Sequence, residues 1–287
     1  MKPSPFAYSA PTTLDEALAV LAQAGDDAKV LAGGQSLLPI LNMRLAAPAH
    51  LVDINRVEGL DFVRVEDGGV RVGACARHSR VERDEAAYGV LPLLRQALRL
   101  VAHPVIRNRG TTVGSLAHAD PCGEMTAVLA VLDGTVEVAR AGSTRTVAAG
   151  DFFVGPLESA VQPGELAVSA YFPALPPRTG TTFVEVARRH GDYAVCGLAA
   201  VVSLDDAGLV ERARAAYISV APTPLVLDLT EAVRGRSVAA ADWAAAADLA
   251  VGQVDPEPDI HASADYRRHL AGVLTRRGLL EAAGRAA

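Results

Sequence analysis

Leu31-Ala32-Gly33-Gly34-Gln35-Ser36-Leu37 is the first of two glycine-bearing turns in this chain; the second reads Gly110-Thr111-Thr112-Val113-Gly114-Ser115-Leu116-Ala117-His118-Ala119-Asp120-Pro121. Each joins a β-like run to a helix-like run and is rich in small residues and hydroxyls. Such turns leave backbone N–H groups free and allow a ligand to approach the main chain. A diphosphate needs this because it carries charge without apolar surface. Together the turns predict a site that holds a dinucleotide from both sides.

The composition is that of a folded globular protein with an acidic balance. The chain has 287 residues, of which 50% are apolar, and its formal net charge is −6. This length is sufficient for two domains of ordinary size. Lys2 and Lys29 are the only lysines, and the arginines are scattered. Without a basic patch along the chain, we expect no nucleic-acid partner.

The sequence favours a reduced, cytoplasmic protein. No apolar signal core follows the first residues, and no apolar run approaches the ~18 residues of a membrane span. The three cysteines, Cys75, Cys122 and Cys196, form no C-x-x-C pair. A [2Fe–2S] cluster usually needs four thiolates, so we expect no ordinary cluster in this chain.

Local signals outline the elements and a domain boundary. Thr13-Leu14-Asp15-Glu16 is a capping box that predicts a helix ending near Gly25. A hairpin is predicted around Asp67-Gly68-Gly69, and a helix over 91–102. The breaker-rich segment 172–180 predicts the boundary, dividing the chain into residues 1–176 and 177–287. Beyond it we expect strands at 182–186, 197–204 and 209–220 and helices near 224–233, 241–251 and 264–283.

The sequence motifs of several common active sites and nucleotide-binding sites are absent from this chain. The chain has no G-x-G-x-x-G, no P-loop Gly-Lys-Ser/Thr, no H-E-x-x-H and no G-x-S-x-G. We therefore predict no catalytic residue and no metal ligand, and interpret the chain as a cofactor holder.

Each candidate feature also has a purely structural interpretation. A glycine pair can serve only the turn itself. Asp120 can be a helix N-cap before Pro121, and Glu124 can simply favour the helix dipole. Gly191-Asp192-Tyr193 can be a hairpin turn with a packed aromatic.

The two turns, in this order and with His-Ala-Asp-Pro after the second, resemble the FAD-binding medium subunit of the molybdenum hydroxylases, such as aerobic carbon monoxide dehydrogenase and xanthine dehydrogenase. The likeness runs through nearly the whole chain, and it includes the segments 51–54, 106–110, 151–153, 163–166 and 191–194.

The resemblance implies an α+β fold. It consists of a PCMH-type FAD-binding domain with two subdomains, then a small C-terminal domain of three antiparallel strands and helices. It implies that backbone N–H groups of the two turns hold the FAD pyrophosphate, that Glu124 contacts the cofactor and that Tyr193 lies against the isoalloxazine ring. The predicted cofactor-binding residues are Leu31, Ala32, Gly33, Gly34, Gln35, Ser36, Leu37, Thr111, Thr112, Val113, Gly114, Ser115, Glu124 and Tyr193.

The resemblance also implies a role and partners. FAD in this chain would take electrons from the [2Fe–2S] clusters of a small subunit and pass them to an external acceptor. A large subunit would carry the molybdenum cofactor and select the substrate, and the complex would be a dimer of heterotrimers. We expect non-covalent FAD, because the first turn offers Gln35 and Ser36 and no nucleophilic His or Cys.

Two residues depart from the family pattern. Val113 stands where a glycine is usual, and a β-branched residue is a poor choice for positive φ. Gln35 replaces a common His. Two alternatives stay open: a free-standing flavin reductase of the same superfamily, and a scaffold subunit that has lost FAD, which Val113 favours.

Overall fold

The first subdomain is built on a small parallel sheet. The computed structural model describes residues 2–286, and the elements of this subdomain are β1 (Ala7–Ser9), α1 (Leu14–Ala24), β2 (Ala28–Leu31), α2 (Leu37–Asn42) and β3 (His50–Asp53). β3 lies between β1 and β2 and is parallel to both. The predicted capping box is confirmed, because the Thr13 side chain accepts from the Glu16 N–H and the Glu16 carboxylate accepts from the Thr13 N–H.

The second subdomain is an antiparallel sheet covered by short helices. Its elements are β4 (Val63–Glu66), β5 (Gly69–Gly73), α3 (His78–Arg83), α4 (Glu85–Val90), α5 (Pro92–Leu98), α6 (Pro104–Arg107), α7 (Thr112–His118), α8 (Glu124–Val131), β6 (Thr135–Arg140), β7 (Ser143–Ala148), α9 (Ala149–Phe152), β8 (Phe153–Gly155), β9 (Glu158–Ser159) and β10 (Leu166–Pro173). The main sheet has the order β4-β5-β10-β6-β7. The predicted hairpin is confirmed as the β4–β5 pair. The helix predicted over 91–102 is shorter, and Pro104 begins α6.

The C-terminal domain packs helices on an antiparallel sheet. Its elements are β11 (Thr179–Val186), β12 (Cys196–Leu204), β13 (Val210–Ile218), β14 (Leu225–Asp228), α10 (Thr230–Val233), α11 (Trp243–Val251) and α12 (Ala264–Ala286). The sheet has four strands in sequence order, where three were expected. The helix predicted near 224–233 is wrong over its first half, because Leu225–Asp228 pairs with the free edge of β13. Only residues 230–233 are helical.

Alternating side chains of the C-terminal sheet serve two separate cores. Phe183, Ala199 and Ala216 belong to the same apolar cluster as the buried face of α8. Val184 and Leu198 face the other way, into the cluster formed with α11 and α12. The sheet is therefore buried on both faces, and its inner face packs against the second subdomain. Residues 2–286 include no helix that is long and apolar enough to cross a membrane.

Candidate cofactor site

The first glycine turn connects β2 to α2 and leaves its main-chain donors free. Gly34 has φ +71°, a conformation that favours glycine. The N–H groups of Gly33, Gly34 and Ser36 have no acceptor within the part of the chain that the structure describes. Ser36 stands at the N-cap of α2, where a serine side chain commonly accepts from the first turn of the helix, but here it makes no capping hydrogen bond. Gln35 instead stabilises the turn, because its Nε2 donates to the Gly33 carbonyl over 3.2 Å.

The second turn begins α7 and is held more rigidly. Thr111 is the N-cap, and its Oγ1 accepts from the Gly114 N–H at 3.2 Å. The Thr112 N–H donates to the Ala76 carbonyl at 3.3 Å. Between them, the Val113 N–H has no acceptor among residues 2–286. Val113 itself is helical and its side chain is buried, so this position does not require positive φ.

The two turns are in direct van der Waals contact. A Cβ added to Gly33 would lie 2.5 Å from the Arg109 carbonyl oxygen and 2.7 Å from Gly110 Cα. No side chain fits between these two backbones. The space beside Gly33 is thus occupied by the second turn, and the absence of a side chain allows the two backbones to touch.

Two residues that the sequence analysis missed fasten the turns together. Asn55 Nδ2 donates to the Ala32 carbonyl at 2.8 Å. The Arg77 guanidinium donates to Asn55 Oδ1 and to the Arg109 carbonyl, both at 2.6 Å. These bonds engage a carbonyl oxygen of the first turn and the carbonyl oxygen just before the second. No local pattern marks Asn55 or Arg77, because their partners are distant in sequence.

A buried histidine, His78, stabilises the second turn through hydrogen bonds. The His78 N–H donates to the Gly110 carbonyl at 2.9 Å, and its Nδ1 lies 3.2 Å from Thr112 Oγ1. Burial, with a smaller contribution from the nearby Arg107 cation, lowers the pKa of His78 to about 4. His78 is therefore neutral near pH 7 and acts as a structural support.

Glu124 lies at the start of α8, beyond a tight turn. The N-cap of α8 is Gly123 and not Asp120. Asp120 Oδ1 instead accepts from the Cys122 N–H at 2.8 Å within the turn. Burial, the neighbouring carboxyl of Glu185 and then Asp120 raise the pKa of Glu124 to about 8. Glu124 thus differs from an ordinary exposed residue in the first turn of a helix.

Tyr193 is carried by the β11–β12 loop, which returns to the second subdomain. The side chain is 70% exposed, so it is not a packed hairpin aromatic. Partial burial of its hydroxyl, and then the charges of Asp120, Cys122 and Glu124, raise the pKa of Tyr193. Ser219 joins this loop to the turn before α8, because its Oγ donates to the Ala194 carbonyl at 2.7 Å and its N–H donates to the Pro121 carbonyl at 2.8 Å. The loop rests on His103, since a Cβ on Gly191 would lie 2.5 Å from His103 Cε1.

The structure therefore assembles the candidate residues in two groups. The glycine turns meet at Gly33 and Gly110, and Ser219 joins the loop that carries Tyr193 to the turn before Glu124. Unpartnered N–H groups on two touching turns suit an anion such as a diphosphate. Within residues 2–286, no cluster of His, Cys, Asp and Glu is suited to hold a metal ion.

Comparison with known proteins identifies relatives over the full length of the chain. Residues 4–175 match the family described as FAD binding domain in molybdopterin dehydrogenase. Residues 181–282 match the CO dehydrogenase flavoprotein C-terminal domain. The 6-hydroxypseudooxynicotine dehydrogenase complex subunit alpha of Paenarthrobacter nicotinovorans is 41% identical over 100% of this chain and 97% of its own length.

Solved structures agree with this relationship. The carbon monoxide dehydrogenase of Hydrogenophaga pseudoflava contains a chain with a TM-score of 0.93 at 36% identity, with 100% of both chains covered. Quinoline 2-oxidoreductase from Pseudomonas putida 86 gives a TM-score of 0.92 at 38% identity, covering 100% of this chain and 99% of the other.

Proposed function

The chain belongs to the family of FAD-binding medium subunits of molybdenum hydroxylases, and from that membership we propose that it passes electrons from the [2Fe–2S] clusters of a partner subunit through FAD to an external acceptor. It is an FAD-binding oxidoreductase subunit of a multi-subunit complex. FAD, when bound, supplies the redox chemistry, and the chain's own residues hold and orient it. The observation that carries the proposal is the presence of free N–H groups on two turns that touch at Gly33.

We assign the FAD diphosphate to the two glycine turns. Ala32–Ser36 and Thr111–Ser115 would bind it through main-chain N–H groups, with Leu31 and Leu37 flanking the first turn. Asn55 and Arg77 hold the carbonyl groups of both turns, which keeps like-charged oxygens away from the anion. Val113, the residue that favoured an FAD-free scaffold, offers a free N–H from inside a helix, and this supports binding.

Glu124 and Tyr193 would serve the other end of the cofactor. In this proposal Tyr193 covers one face of the isoalloxazine ring, and its exposed side chain is available to do so. Glu124 would contact the cofactor near that ring. Both residues position and tune the flavin, and neither breaks a substrate bond.

The proposed partners are a small iron–sulfur subunit and a large molybdenum subunit, joined as a dimer of heterotrimers in the cytoplasm. The names of relatives support a multi-subunit assembly, because they include a complex subunit alpha and a carbon monoxide dehydrogenase medium chain. Cys75 and Cys196 are buried in two different parts of the apolar core of this chain. This separation is consistent with iron–sulfur clusters that are held by a partner subunit. We also propose that the two domains divide at residues 176 and 177.

Anaerobic rapid mixing of the purified complex with its substrate tests the route. Bleaching of the iron–sulfur absorbance followed by reduction of the flavin bands is expected. A complex that delivers electrons to its acceptor at full rate after FAD has been removed would contradict the proposal. Reduction of the isolated chain's flavin directly by a nicotinamide, without partner subunits, would favour the free-standing reductase instead.

A further inference from the structure

Ser219 follows the end of β13, and all of its polar groups are engaged. Its N–H donates to the Pro121 carbonyl at 2.8 Å, and its Oγ donates to the Ala194 carbonyl at 2.7 Å. Its own carbonyl accepts from Arg267 Nη1 at 2.7 Å. Ser219 therefore joins three segments that are distant in sequence, namely the turn before α8, the loop that carries Tyr193, and α12.

The backbone of Ser219 is in a conformation that a serine seldom adopts. Its φ is +65°, in the left-handed region where a Cβ is unfavourable and glycine is not. Such conformations persist where the surroundings fix them, and they are common at functional sites. Here three hydrogen bonds fix Ser219, and its hydroxyl is the group that a glycine at this position would lack.

Arg267 of α12 anchors this junction in the C-terminal domain. Its side chain is buried, and its Nη1 also donates to the Val195 carbonyl at 2.9 Å. Its Nη2 donates to Asp259 Oδ2 at 2.6 Å. Asp259 Oδ1 in turn accepts from the N–H groups of His261 and Ala262. A buried cation is costly unless it is paired and hydrogen-bonded, so these partners keep the Arg267 guanidinium in place.

The two residues that follow Tyr193 are held at their main-chain oxygens. The Ala194 carbonyl accepts from Ser219 Oγ, and the Val195 carbonyl accepts from Arg267. The Val195 N–H also donates to the carbonyl of Val186 at the end of β11, which closes the base of the loop. The Tyr193 side chain itself is exposed. Its direction is therefore set by the adjoining main chain, which the Ser219 hydroxyl holds.

We propose that Ser219 is a positioning residue for the flavin. Its hydroxyl holds the main chain at Ala194, and thereby fixes how Tyr193 covers the isoalloxazine ring. The link to the flavin rests on the proposed function, whereas the anchoring of the loop does not require FAD. Ser219 acts on the cofactor through Tyr193.

Hydrogen–deuterium exchange of the FAD-free full chain tests the anchoring. Ser219→Ala and Ser219→Gly both remove the hydroxyl, and glycine also suits the positive φ, so that variant keeps the fold. Loss of one net hydrogen bond changes an opening equilibrium by about fivefold, so the amides of residues 187–195 should exchange about fivefold faster in both variants. Wild-type exchange of this loop in either variant would overturn the proposal.

Ser203→Ala is the matched control for the exchange experiment. Ser203 and Ser219 are both 8% exposed. Ser203 lies on β12 of the same sheet, and its hydroxyl shares a 2.8 Å hydrogen bond with that of Thr179. Its replacement should leave the exchange of residues 187–195 unchanged. An equal acceleration in Ser203→Ala would show a general loss of stability and would also overturn the proposal.

A double-mutant cycle with Tyr193→Ala tests the link to the flavin. The reduction potential and the visible circular dichroism of bound FAD would be compared among wild type, Ser219→Gly, Tyr193→Ala and the double variant. Ser219→Gly should shift both properties in the same direction as Tyr193→Ala and leave the FAD dissociation constant unchanged. The double variant should match Tyr193→Ala alone, because Ser219 acts through Tyr193.

The outcomes separate this inference from the proposed function. Additive shifts in the double variant, or wild-type flavin properties in Ser219→Gly, would overturn the link between Ser219 and the flavin even if FAD binds tightly. A wild-type chain that binds no FAD refutes the proposed function and that link together. The exchange rates of residues 187–195 then still decide whether Ser219 anchors the loop.

Discussion

Replacing Gly33 by alanine should separate the two glycine turns. The added Cβ would lie 2.5 Å from the Arg109 carbonyl oxygen, 2.7 Å from Gly110 Cα and 3.0 Å from the Thr111 backbone nitrogen. All three are backbone atoms of one turn, so none can rotate away. Overpacking of this kind costs about 1–3 kcal/mol. The turns must move apart, and the two sets of free N–H groups then no longer lie on touching turns.

The predicted effect appears in both stability and FAD affinity. A hydrogen bond to a charged group is worth about 1.5–3 kcal/mol, so loss of one such bond weakens FAD binding by about tenfold or more. Urea unfolding measures the change in stability. Titration of flavin fluorescence in the refolded, FAD-free chain measures the change in FAD affinity.

Gly89→Ala is the matched control for Gly33→Ala. Gly89 lies in α4, and its added Cβ would have nothing within 4 Å. Its FAD dissociation constant should be unchanged, and its stability should rise by about 0.5–1 kcal/mol, since alanine is the better helix residue. A Gly33→Ala chain with wild-type unfolding and wild-type FAD affinity would refute the argument that turn-to-turn contact builds the site.

Three further outcomes are expected. Acid or heat denaturation should release all flavin fluorescence into the supernatant, since Gln35 and Ser36 offer no covalent attachment; flavin retained in the precipitate contradicts this. Tyr193→Ala should change the flavin reduction potential or the acceptor rate by more than it changes FAD affinity, and a redox titration that matches wild type would show that Tyr193 does not touch the ring. Because the folded-state pKa values of Glu124 and Glu185, about 8 and about 7, lie above the ordinary glutamate value of 4.5, the stability linked to these groups is full below about pH 4.5 and is lost as pH rises through 7 to 8. Urea melts across that range should show a loss of stability that Glu185→Gln reduces and that Glu211→Gln, at an exposed glutamate of β13, retains, and parallel curves for both variants would contradict it.

The features predicted correctly are those whose causes are local. The capping box at Thr13 and Glu16 involves donors and acceptors within one helical turn, and the β4–β5 hairpin depends on the turn preferences of a few residues. The two glycine turns were recognisable for the same reason, because small residues between a strand and a helix restrict the backbone directly. Errors occurred where a distant partner decided the outcome, as when Leu225–Asp228 became a strand against β13.

The sequence by itself determined the two turns, the α+β pattern and the resemblance that indicates FAD. Only the tertiary structure decided how those two turns contact each other. It placed the Gly110 backbone in the space left by Gly33, fastened both turns through Asn55 and Arg77, and buried Glu185 Oε2 of the C-terminal sheet without a hydrogen-bond partner among the described residues. The physical reason is the sequence distance over which each kind of interaction acts. Dihedral preferences and caps act over a few neighbouring residues, whereas close packing and the burial of charge depend on which distant surfaces meet.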